Sequence, residues 1–446
     1  MNLQSSLFNS FRPLWHGGRL LSSRRKELDQ TQWWSRDQLE GWQLERLKRV
    51  VAYAYQNVPF YTNLYRGRDI HPEDIKTIKD FEALPFLTRE DIRSHLDDLV
   101  TRVPGTKLVR GSTGGSTGVP MQFYTEKAFD YWDGALELRG RGWYGVQAGE
   151  KLAYVWGLKQ DFKPAGWNSR LRAAILQERF LNAFHMTDET MQIFAEMLVK
   201  WKPVMFRAYA SSLSQFANYV KEHGISGIRP KLIETTAEKV SQPQRELMEE
   251  VFQCKVADWY SAREMGTIGY QCPAGSLHVC ETRYLEILAN DRVVQPGELG
   301  EVVITSLHQY GMPFIRYKIG DMAIYAEEAC SCGRGLPVLK EVVGRLHDFL
   351  VATDGHFVHG AFFSHTFRLY PEIAKYQVYQ PDRTHLEVRI ILSSPVEPAW
   401  FEKVRQEIQH IFGEDMQIAL TVVDNIPLTP AGKHRFIISE VKPEFV

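Results

Sequence analysis

Apolar residues recur every three or four positions between Gln38 and Asn57, which is the pattern of a helix with one buried side. Pro59 indicates where this helix ends, because the residue before a proline is pushed out of the helical conformation. Thr88, followed three residues later by Asp91, is typical of the cap that opens another short helix. The first part of the chain is therefore predicted to be helical.

The middle of the chain alternates between helix and strand patterns. Helical patterns cover residues 126–144, 188–201, 211–222 and 242–252, and short apolar runs typical of buried strands cover residues 151–156, 231–235 and 255–259. This alternation is typical of a parallel sheet covered by helices, and it predicts an α/β architecture.

The pattern changes twice more toward the C-terminus. Residues 281–325 are rich in strand patterns, with a turn at residues 297–300, and beyond Gly344 the order is strand, helix, strands, helix, strand. We therefore predict a large domain of mixed sheets and helices over residues 1–345, and a small α+β domain over residues 346–446.

Composition narrows the class of function. The 446 residues include 53 Lys and Arg against 54 Asp and Glu, so no overall charge favours nucleic acid or an anionic membrane surface. No apolar run approaches the roughly 20 residues that a membrane span needs. The N-terminus lacks a secretory signal pattern, and a cytoplasmic protein without nucleic-acid or membrane partners is expected. The sequence leaves a homodimer open.

A loop rich in glycine and hydroxyl groups separates two strand-like runs. It reads Ser112-Thr113-Gly114-Gly115-Ser116-Thr117-Gly118-Val119-Pro120. Glycines let a backbone approach a ligand closely, and hydroxyl groups add donors beside the free amides, which suits a polyphosphate. The loop lacks the Gly-Lys-Ser/Thr ending of a Walker A motif, and a flexible linker is the alternative.

Two carboxylates and two cations lie in further short motifs. Glu264 follows a strand predicted to end at Trp259, and such a carboxylate faces the crevice where α/β proteins bind ligands and Mg²⁺. Asp321 lies in a Gly-Asp turn predicted at the end of a strand, and its two oxygens can hold ribose hydroxyls. Arg345 and Lys433 can contact phosphate or ribose. The alternatives are a solvated loop glutamate for Glu264 and a plain turn for Asp321. For Arg345 the alternative is an interdomain salt bridge, and for Lys433 it is a solvated lysine.

Cysteines and one histidine form a second group of candidate functional residues. Cys272 and His278 precede the pair Cys330 and Cys332, and three thiolates with one imidazole make a closed tetrahedral set for a structural Zn²⁺. Two unrelated loops with free thiols are the alternative, and Cys280 is a rival ligand two residues beyond the histidine.

The order and spacing of these motifs resemble the adenylate-forming (acyl-CoA synthetase-like) superfamily, and specifically its phenylacetate–CoA ligase and CapK-like branch. The stretches that carry the resemblance are residues 54–61, 84–93, 112–118, 235–238, 260–264, 300–305, 316–321, 344–345 and 432–433. They extend over nearly the whole chain from about residue 40.

The resemblance implies a role for each matching residue. The residues implied to contact ATP or AMP are Ser112, Thr113, Gly114, Gly115, Ser116, Thr117, Gly118, Thr236, Ala237, Glu238, Asp258, Trp259, Tyr260, Asp321 and Arg345. Glu264 would hold Mg²⁺, and Lys433 would be the adenylation lysine on a mobile C-terminal domain. Val119 and His347 depart from the residues that the family often has at those two positions.

The resemblance also implies a reaction. A small-molecule carboxylic acid, aromatic in this branch, would be activated by ATP to an acyl-adenylate and then transferred to the thiol of coenzyme A. Transfer to an amine or sugar amine, and a non-catalytic adenylate-binding scaffold, are the alternatives.

Overall fold

The structure is a computed structural model that describes residues 18–113, 121–157, 177–183, 185–345, 349–355, 357–367, 369–427 and 435–441. Its helices are α1 (Gly18–Thr31), α2 (Arg36–Asn57), α3 (Pro59–Arg66), α4 (Ile78–Glu82), α5 (Arg89–Ser94), α6 (Lys127–Gly142), α7 (Asp188–Trp201), α8 (Ala210–Glu222), α9 (Gln242–Phe252), α10 (Ala361–Phe367) and α11 (Pro398–Phe412). Within these ranges no helix combines the length and the apolar character that crossing a membrane requires.

The strands of the large part of the chain are β1 (Leu108–Ser112), β2 (Gln122–Glu126), β3 (Leu152–Trp156), β4 (Glu178–Asn182), β5 (Met205–Tyr209), β6 (Leu232–Thr236), β7 (Lys255–Ala262), β8 (Gly266–Gln271), β9 (Leu277–Val279), β10 (Arg283–Ala289), β11 (Arg292–Val293), β12 (Leu299–Ser306), β13 (Tyr317–Tyr325) and β14 (Val338–Arg345). The C-terminal strands are β15 (Phe349–Val351), β16 (Phe357–His359), β17 (Ile373–Asp382), β18 (His385–Leu392), β19 (Gln417–Val422) and β20 (Ile437–Ser439).

Local chemistry explains where the helices begin. Helix α5 opens at Thr88, whose side chain accepts from the amide of Asp91 while Asp91 binds back to the cap, so the predicted cap is confirmed. Helix α2 has the same reciprocal cap between Ser35 and Gln38, and it ends next to Pro59 as predicted.

Twelve strands form one sheet in the order β11-β10-β12-β13-β14-β9-β8-β7-β6-β5-β3-β4. Strands β4, β3, β5, β6 and β7 are parallel, with helices α7, α8 and α9 connecting β4 to β5, β5 to β6 and β6 to β7, and the neighbouring strands from β7 to β11 in this order pair antiparallel. The predicted α/β class is confirmed. Apolar residues on one face of the parallel part pack against α7, α8 and α9 and form one hydrophobic core.

The C-terminal residues make a separate small unit. Strands β19, β18, β17 and β20 form a four-stranded sheet, and this sheet packs with α10 and α11 around its own apolar core. The predicted α+β class is confirmed here, but two strands precede α10 and two follow α11, where the sequence predicted one strand in each place. The domain boundary at residue 345 stays a prediction.

Two predicted strand ends are wrong. Strand β7 continues past Trp259 to Ala262, because β8 folds back and pairs with its last residues. Residues Gly320 and Asp321 lie inside β13 rather than in a turn at its end. Strand β12 advances two residues between Glu301 and Val303 where β13 advances four, so the Gly-Asp pair occupies a bulge, with Gly320 at a φ of 82°.

The N-terminal helices are attached to the sheet by polar contacts with residues far along the chain. The carbonyl oxygen of the Gln32 side chain accepts from the indole nitrogen of Trp143 at 2.8 Å and from Nε of Arg334 at 3.0 Å. The Gln32 backbone oxygen accepts from the amide of Gly335 at 3.0 Å. We call this set, Gln32 with residues 334–335, the N-terminal clasp.

The clasp leaves no room for a side chain at Gly335. A Cβ atom there would overlap the backbone carbonyl of Trp34. We predict that Gly335→Ala destabilises the protein by about 1–3 kcal/mol, as overpacking does, measured by urea unfolding. Gly41→Ala is the matched control, since nothing lies within 4 Å of a Cβ atom at that helical position. Equal stability of the two variants would contradict the close fit.

Candidate functional site

The described ends of the glycine-rich loop are held together. Strands β1 and β2 pair antiparallel with Ser112 opposite Gln122. Beyond them the amide of Thr113 donates to the carbonyl of Met121 at 2.9 Å, and the Met121 amide donates to the Thr113 hydroxyl at 3.1 Å. The predicted phosphate residues Gly114, Gly115, Ser116, Thr117 and Gly118 lie outside the described residues. The chain therefore enters and leaves this loop at one closed point.

Asp321 lies at the centre of a three-residue cluster. The cross-strand register of β13 and β14 places it directly opposite Arg345, whose Nε lies 2.9 Å from its carboxylate. The Tyr260 hydroxyl donates to the other Asp321 oxygen at 2.7 Å. The Asp321 carboxylate raises the pKa of Arg345, and burial followed by the same carboxylate raises the pKa of Tyr260, so both stay protonated donors.

Glu264 is 2% exposed and lies close to this cluster. It accepts a hydrogen bond from the Tyr317 hydroxyl at 3.2 Å, and the same hydroxyl lies 3.8 Å from the sulfur of Met121. Tyr317 therefore links Glu264 to the closed end of the loop at Thr113. Asp321 lies on the same strand as Tyr317, so the two carboxylates and the closed end of the loop lie together. We call the place where they meet the crevice.

The segment after β6 has an unusual backbone. Ala237 has a φ of 67°, a left-handed conformation that side chains rarely adopt and that is often found at ligand sites. The Thr236 hydroxyl lies 3.1 Å from that of Ser261, which brings this segment beside β7. Glu238 accepts from the amide of Ser211 at 2.9 Å and so caps the start of α8.

Asp258 and Trp259 have contacts on opposite faces of β7, as neighbours on a strand must. Asp258 accepts from the Thr235 hydroxyl at 3.1 Å and pairs with Arg245 of α9 at 3.1 Å. Trp259 donates to the hydroxyl of Thr267 at 3.1 Å. The structure therefore brings Tyr260 to the Asp321 cluster but does not bring these two side chains together with it.

Aromatic side chains line the carboxyl ends of the parallel strands. Tyr209 at the end of β5 is opposite Thr236, and Trp156 at the end of β3 stacks on Tyr209 with ring centres 4.5 Å apart. Trp259 follows on β7, and the Arg207 guanidinium lies 3.9 Å from the centre of its ring. Such ring faces can hold a flat apolar group next to the crevice.

A layer of charged residues lies one step below this row. Glu234 is fully buried and accepts from Arg207, from Arg141 at 3.2 Å and from the Tyr270 hydroxyl at 2.6 Å. Burial raises the pKa of Glu234, but the two guanidinium groups outweigh burial and hold the pKa at about 2. Glu137 completes the layer at 3.0 Å from each arginine.

The predicted metal ligands lie together. Ligand atoms of Cys272, His278, Cys330 and Cys332 are all within 4.8 Å of one another. The sulfurs of Cys272 and Cys330 are 3.6 Å apart, and Nε2 of His278 is 3.3 Å from the sulfur of Cys332. Zn–S bonds of about 2.3 Å place tetrahedral sulfur ligands about 3.8 Å apart, so the spacing fits one zinc ion.

The surroundings of His278 suit a metal ligand. Its Nδ1 lies 3.4 Å from the carbonyl oxygen of Leu336, a contact that leaves Nε2 toward the three sulfurs. Burial lowers the pKa of His278 to about 4, so the imidazole is neutral at neutral pH, as a ligand must be. Cys280, the rival ligand, is outside the cluster found among the described residues.

Two residues implied by the resemblance cannot be placed. Lys433 and the hinge residue His347 lie outside the described residues, so their roles stay predictions. Other residues of the crevice were not singled out in the sequence, among them Tyr317, Trp156 and Tyr209. Tyr317 stands inside the motif at residues 316–321, but only the fold shows that its hydroxyl reaches Glu264.

Parts of the chain are similar to known proteins. The family described as CapK C-terminal domain matches residues 350–440. Protein CapK of Staphylococcus aureus is 26% identical, over 90% of this chain and 89% of that protein. A phenylacetate–coenzyme A ligase of Thermus thermophilus is 25% identical, over 71% of this chain and 72% of that enzyme.

Solved structures share the fold. A 2-hydroxyisobutyryl-CoA ligase, in the postadenylation state with 2-HIB-AMP, superposes with a TM-score of 0.69 at 20% identity, covering 92% of each chain. The O-succinylbenzoate coenzyme A synthetase of Bacillus subtilis in complex with AMP has a TM-score of 0.52 at 17% identity, covering 73% of this chain and 67% of that one.

The charged layer generates a pH prediction. Because the folded pKa of Glu234 is about 2 and its usual value is 4.5, the carboxylate stabilises the fold above pH 4.5, and this contribution is lost as the pH falls toward 2. We expect Glu234→Gln to cost about 3–5 kcal/mol at pH 7, since it leaves two buried guanidinium groups underpaired.

Urea unfolding of both proteins at several pH values measures this. The stability gap between wild type and Glu234→Gln should shrink as the solution is acidified below pH 4. A gap that stays constant down to pH 2 would show that Glu234 is not the titrating group.

Proposed function

We propose that the chain belongs to the adenylate-forming superfamily, in its phenylacetate–CoA ligase and CapK-like branch, and that it is an AMP-forming acid ligase. It would activate a carboxylic acid with ATP and then pass the acyl group to the thiol of coenzyme A. The observation that carries this proposal is the Asp321, Arg345 and Tyr260 cluster, which borders the same crevice as Glu264.

Each side of the crevice suits one part of ATP. The second lone pairs of the Asp321 oxygens can accept from the two ribose hydroxyls, with Arg345 and Tyr260 fixing the orientation of the carboxylate. Glu264 would hold Mg²⁺, which supplies positive charge to the phosphates when it is bound. The loop from Ser112 to Gly118 would surround those phosphates with amides and hydroxyls.

The reaction has two steps. A carboxylate oxygen of the acid attacks the α-phosphorus of ATP, and the bond to the β-phosphate breaks to release pyrophosphate. The thiolate of coenzyme A then attacks the acyl carbon, and AMP leaves with the electrons of the broken acyl–oxygen bond. We assign to Lys433 the role of neutralising charge between the carboxylate and the α-phosphate in the first step.

The domain over residues 346–446 would be mobile and would carry Lys433 to the crevice. Its separate sheet and its separate apolar core support this proposal, because a unit with few shared core contacts can move as a rigid body. His347 would be the hinge. Lys433 would then occupy the crevice during adenylation and leave it for thiol attack.

We propose an aromatic acid as the substrate. The rings of Trp156 and Tyr209 at the carboxyl ends of β3 and β5, with Trp259 inside β7, support this assignment, since flat rings stack favourably on such faces. The charged layer at Glu234 lies below this row and would form the floor beneath the bound ring.

An amine or sugar amine is the second candidate acceptor. The similarity to Protein CapK extends over 90% of this chain, against 71% for the phenylacetate–coenzyme A ligase of Thermus thermophilus, and the C-terminal match is to the CapK family.

We also propose that the Cys272, His278, Cys330 and Cys332 cluster holds one structural Zn²⁺. Four protein ligands close the coordination sphere, so such a site has no position for a substrate. All five cysteines are free of disulfide bonds, which together with the zinc proposal favours a reducing compartment and hence the cytoplasm.

Pyrophosphate exchange into ATP, measured with a panel of carboxylic acids, tests the ligase proposal. We expect exchange with at least one aromatic acid, and Lys433→Ala should reduce it by about 10²–10³-fold while AMP still binds. Adding coenzyme A or amines to the active acid then identifies the acceptor. AMP binding without exchange for any acid would favour the non-catalytic scaffold.

Elemental analysis tests the metal. We expect one zinc per chain in freshly purified protein, and loss of zinc in Cys330→Ser together with a lower unfolding temperature, because metal binding energy is folding energy. Cys254→Ser is the matched control, since this half-buried thiol lies outside the cluster. Freshly purified protein that contains no zinc, or an equal zinc content in Cys330→Ser and Cys254→Ser, would contradict the proposed site.

A further inference from the structure

The twelve-stranded sheet has one narrow joint. Strand β9 has three residues and is the only strand between β14 on one side and β8 on the other within the described sheet. Its register with β14 consists of two pairs, Leu277 with Leu339 and His278 with Val338. We call this junction between β14 and β9 the seam.

The four candidate metal ligands lie on both sides of the seam. Cys272 and His278 belong to the hairpin formed by β8 and β9, and Cys330 and Cys332 belong to the connection that leads into β14. Two contacts between ligand atoms, 3.6 Å for Cys272 with Cys330 and 3.3 Å for His278 with Cys332, cross it. One bound ion would therefore join the two halves of the sheet.

The same two halves form the walls of the crevice. Tyr260 and Glu264 come from β7 and from the turn after it, on the side of β8. Asp321 and Tyr317 come from β13, on the side of β14. Two hydrogen bonds connect the walls, from Tyr260 to Asp321 at 2.7 Å and from Tyr317 to Glu264 at 3.2 Å. A displacement of β14 relative to β9 would change the distances of both hydrogen bonds.

Strand β14 connects the metal cluster to the crevice. It starts at Val338, six residues after Cys332, and it ends at Arg345, which pairs with Asp321. An extended strand in a sheet moves as a unit, because its backbone hydrogen bonds hold it to its neighbours. A displacement at the metal cluster would thus move Arg345 and its partner Asp321.

We propose that the metal at Cys272, His278, Cys330 and Cys332 positions Asp321 and Arg345 against Tyr260 and Glu264, so that its occupancy sets the affinity for AMP. The four ligands are positioning residues, since none of them reaches the crevice. This inference rests on the proposed nucleotide site and on the proposed zinc.

Calorimetric titration with AMP tests it in the full-length protein. The samples are zinc-loaded wild type, wild type stripped with a chelator, Cys330→Ser and the control Cys254→Ser. Asp321→Ala in zinc-loaded protein identifies the nucleotide site independently of the metal. Hydrogen exchange of the Val279 amide, which donates to Pro337 at 2.8 Å across the seam, reports the local structure. Amides of β5 and β6 serve as the internal reference.

We expect stripped wild type and Cys330→Ser to bind AMP about tenfold more weakly, as a loosened supporting shell does, while Cys254→Ser binds normally. Exchange should accelerate at Val279 and stay unchanged in β5 and β6. Restoring zinc to stripped wild type should restore both the affinity and the protection.

Three results would overturn the inference. Full AMP affinity in stripped protein whose Val279 amide exchanges faster would show that AMP binding does not depend on the metal. Equal loss of protection at Val279 and in β5 and β6, which belong to the same twelve-stranded sheet, would make the metal a requirement for folding rather than for positioning. No AMP binding even in zinc-loaded wild type would instead reject the proposed nucleotide site.

Discussion

A charged side chain that is removed from water needs a partner, and this requirement organises the interior of the large domain. Arg139 pairs with Glu281 at 2.5 Å, Arg316 with Glu286 at 2.6 Å, and Glu234 with both Arg141 and Arg207. Because an unpaired buried charge is strongly destabilising, each pair allows one mutual arrangement of the elements that carry it.

These pairs connect segments that are distant in sequence. Arg139 on α6 pairs with Glu281 in the turn just before β10, and the same carboxylate accepts from the Thr31 hydroxyl at 2.5 Å, so α1 is attached at that point too. Arg316 also donates to the backbone of Leu84 and so fixes the helical N-terminal part against β13. These buried ion pairs thus fix the relative positions of the strands that carry the crevice residues.

The cap of Thr88 and Asp91 could be predicted because its determinants lie within four residues. The ligands Cys272, His278, Cys330 and Cys332 are distant in sequence, but ligand type and spacing within each pair were enough to group them, and they lie together. Strand ends were less accurate, because β7 is prolonged by a later strand and Asp321 sits in a bulge that depends on its pairing with β12. No local pattern indicates that the hydroxyl of Tyr317 meets Glu264.

The clasp between Gln32 and Arg334 joins residues that are 302 positions apart. During synthesis α1 and α2 are made before the loop that completes the clasp. At about 5–20 residues per second the interval is on the order of 15–60 seconds. Helix α1 can dock on α6 well before that, since Arg139 donates to the carbonyl oxygen of Leu28 at 3.1 Å. The clasp therefore completes the attachment of the N-terminal helices rather than starting it.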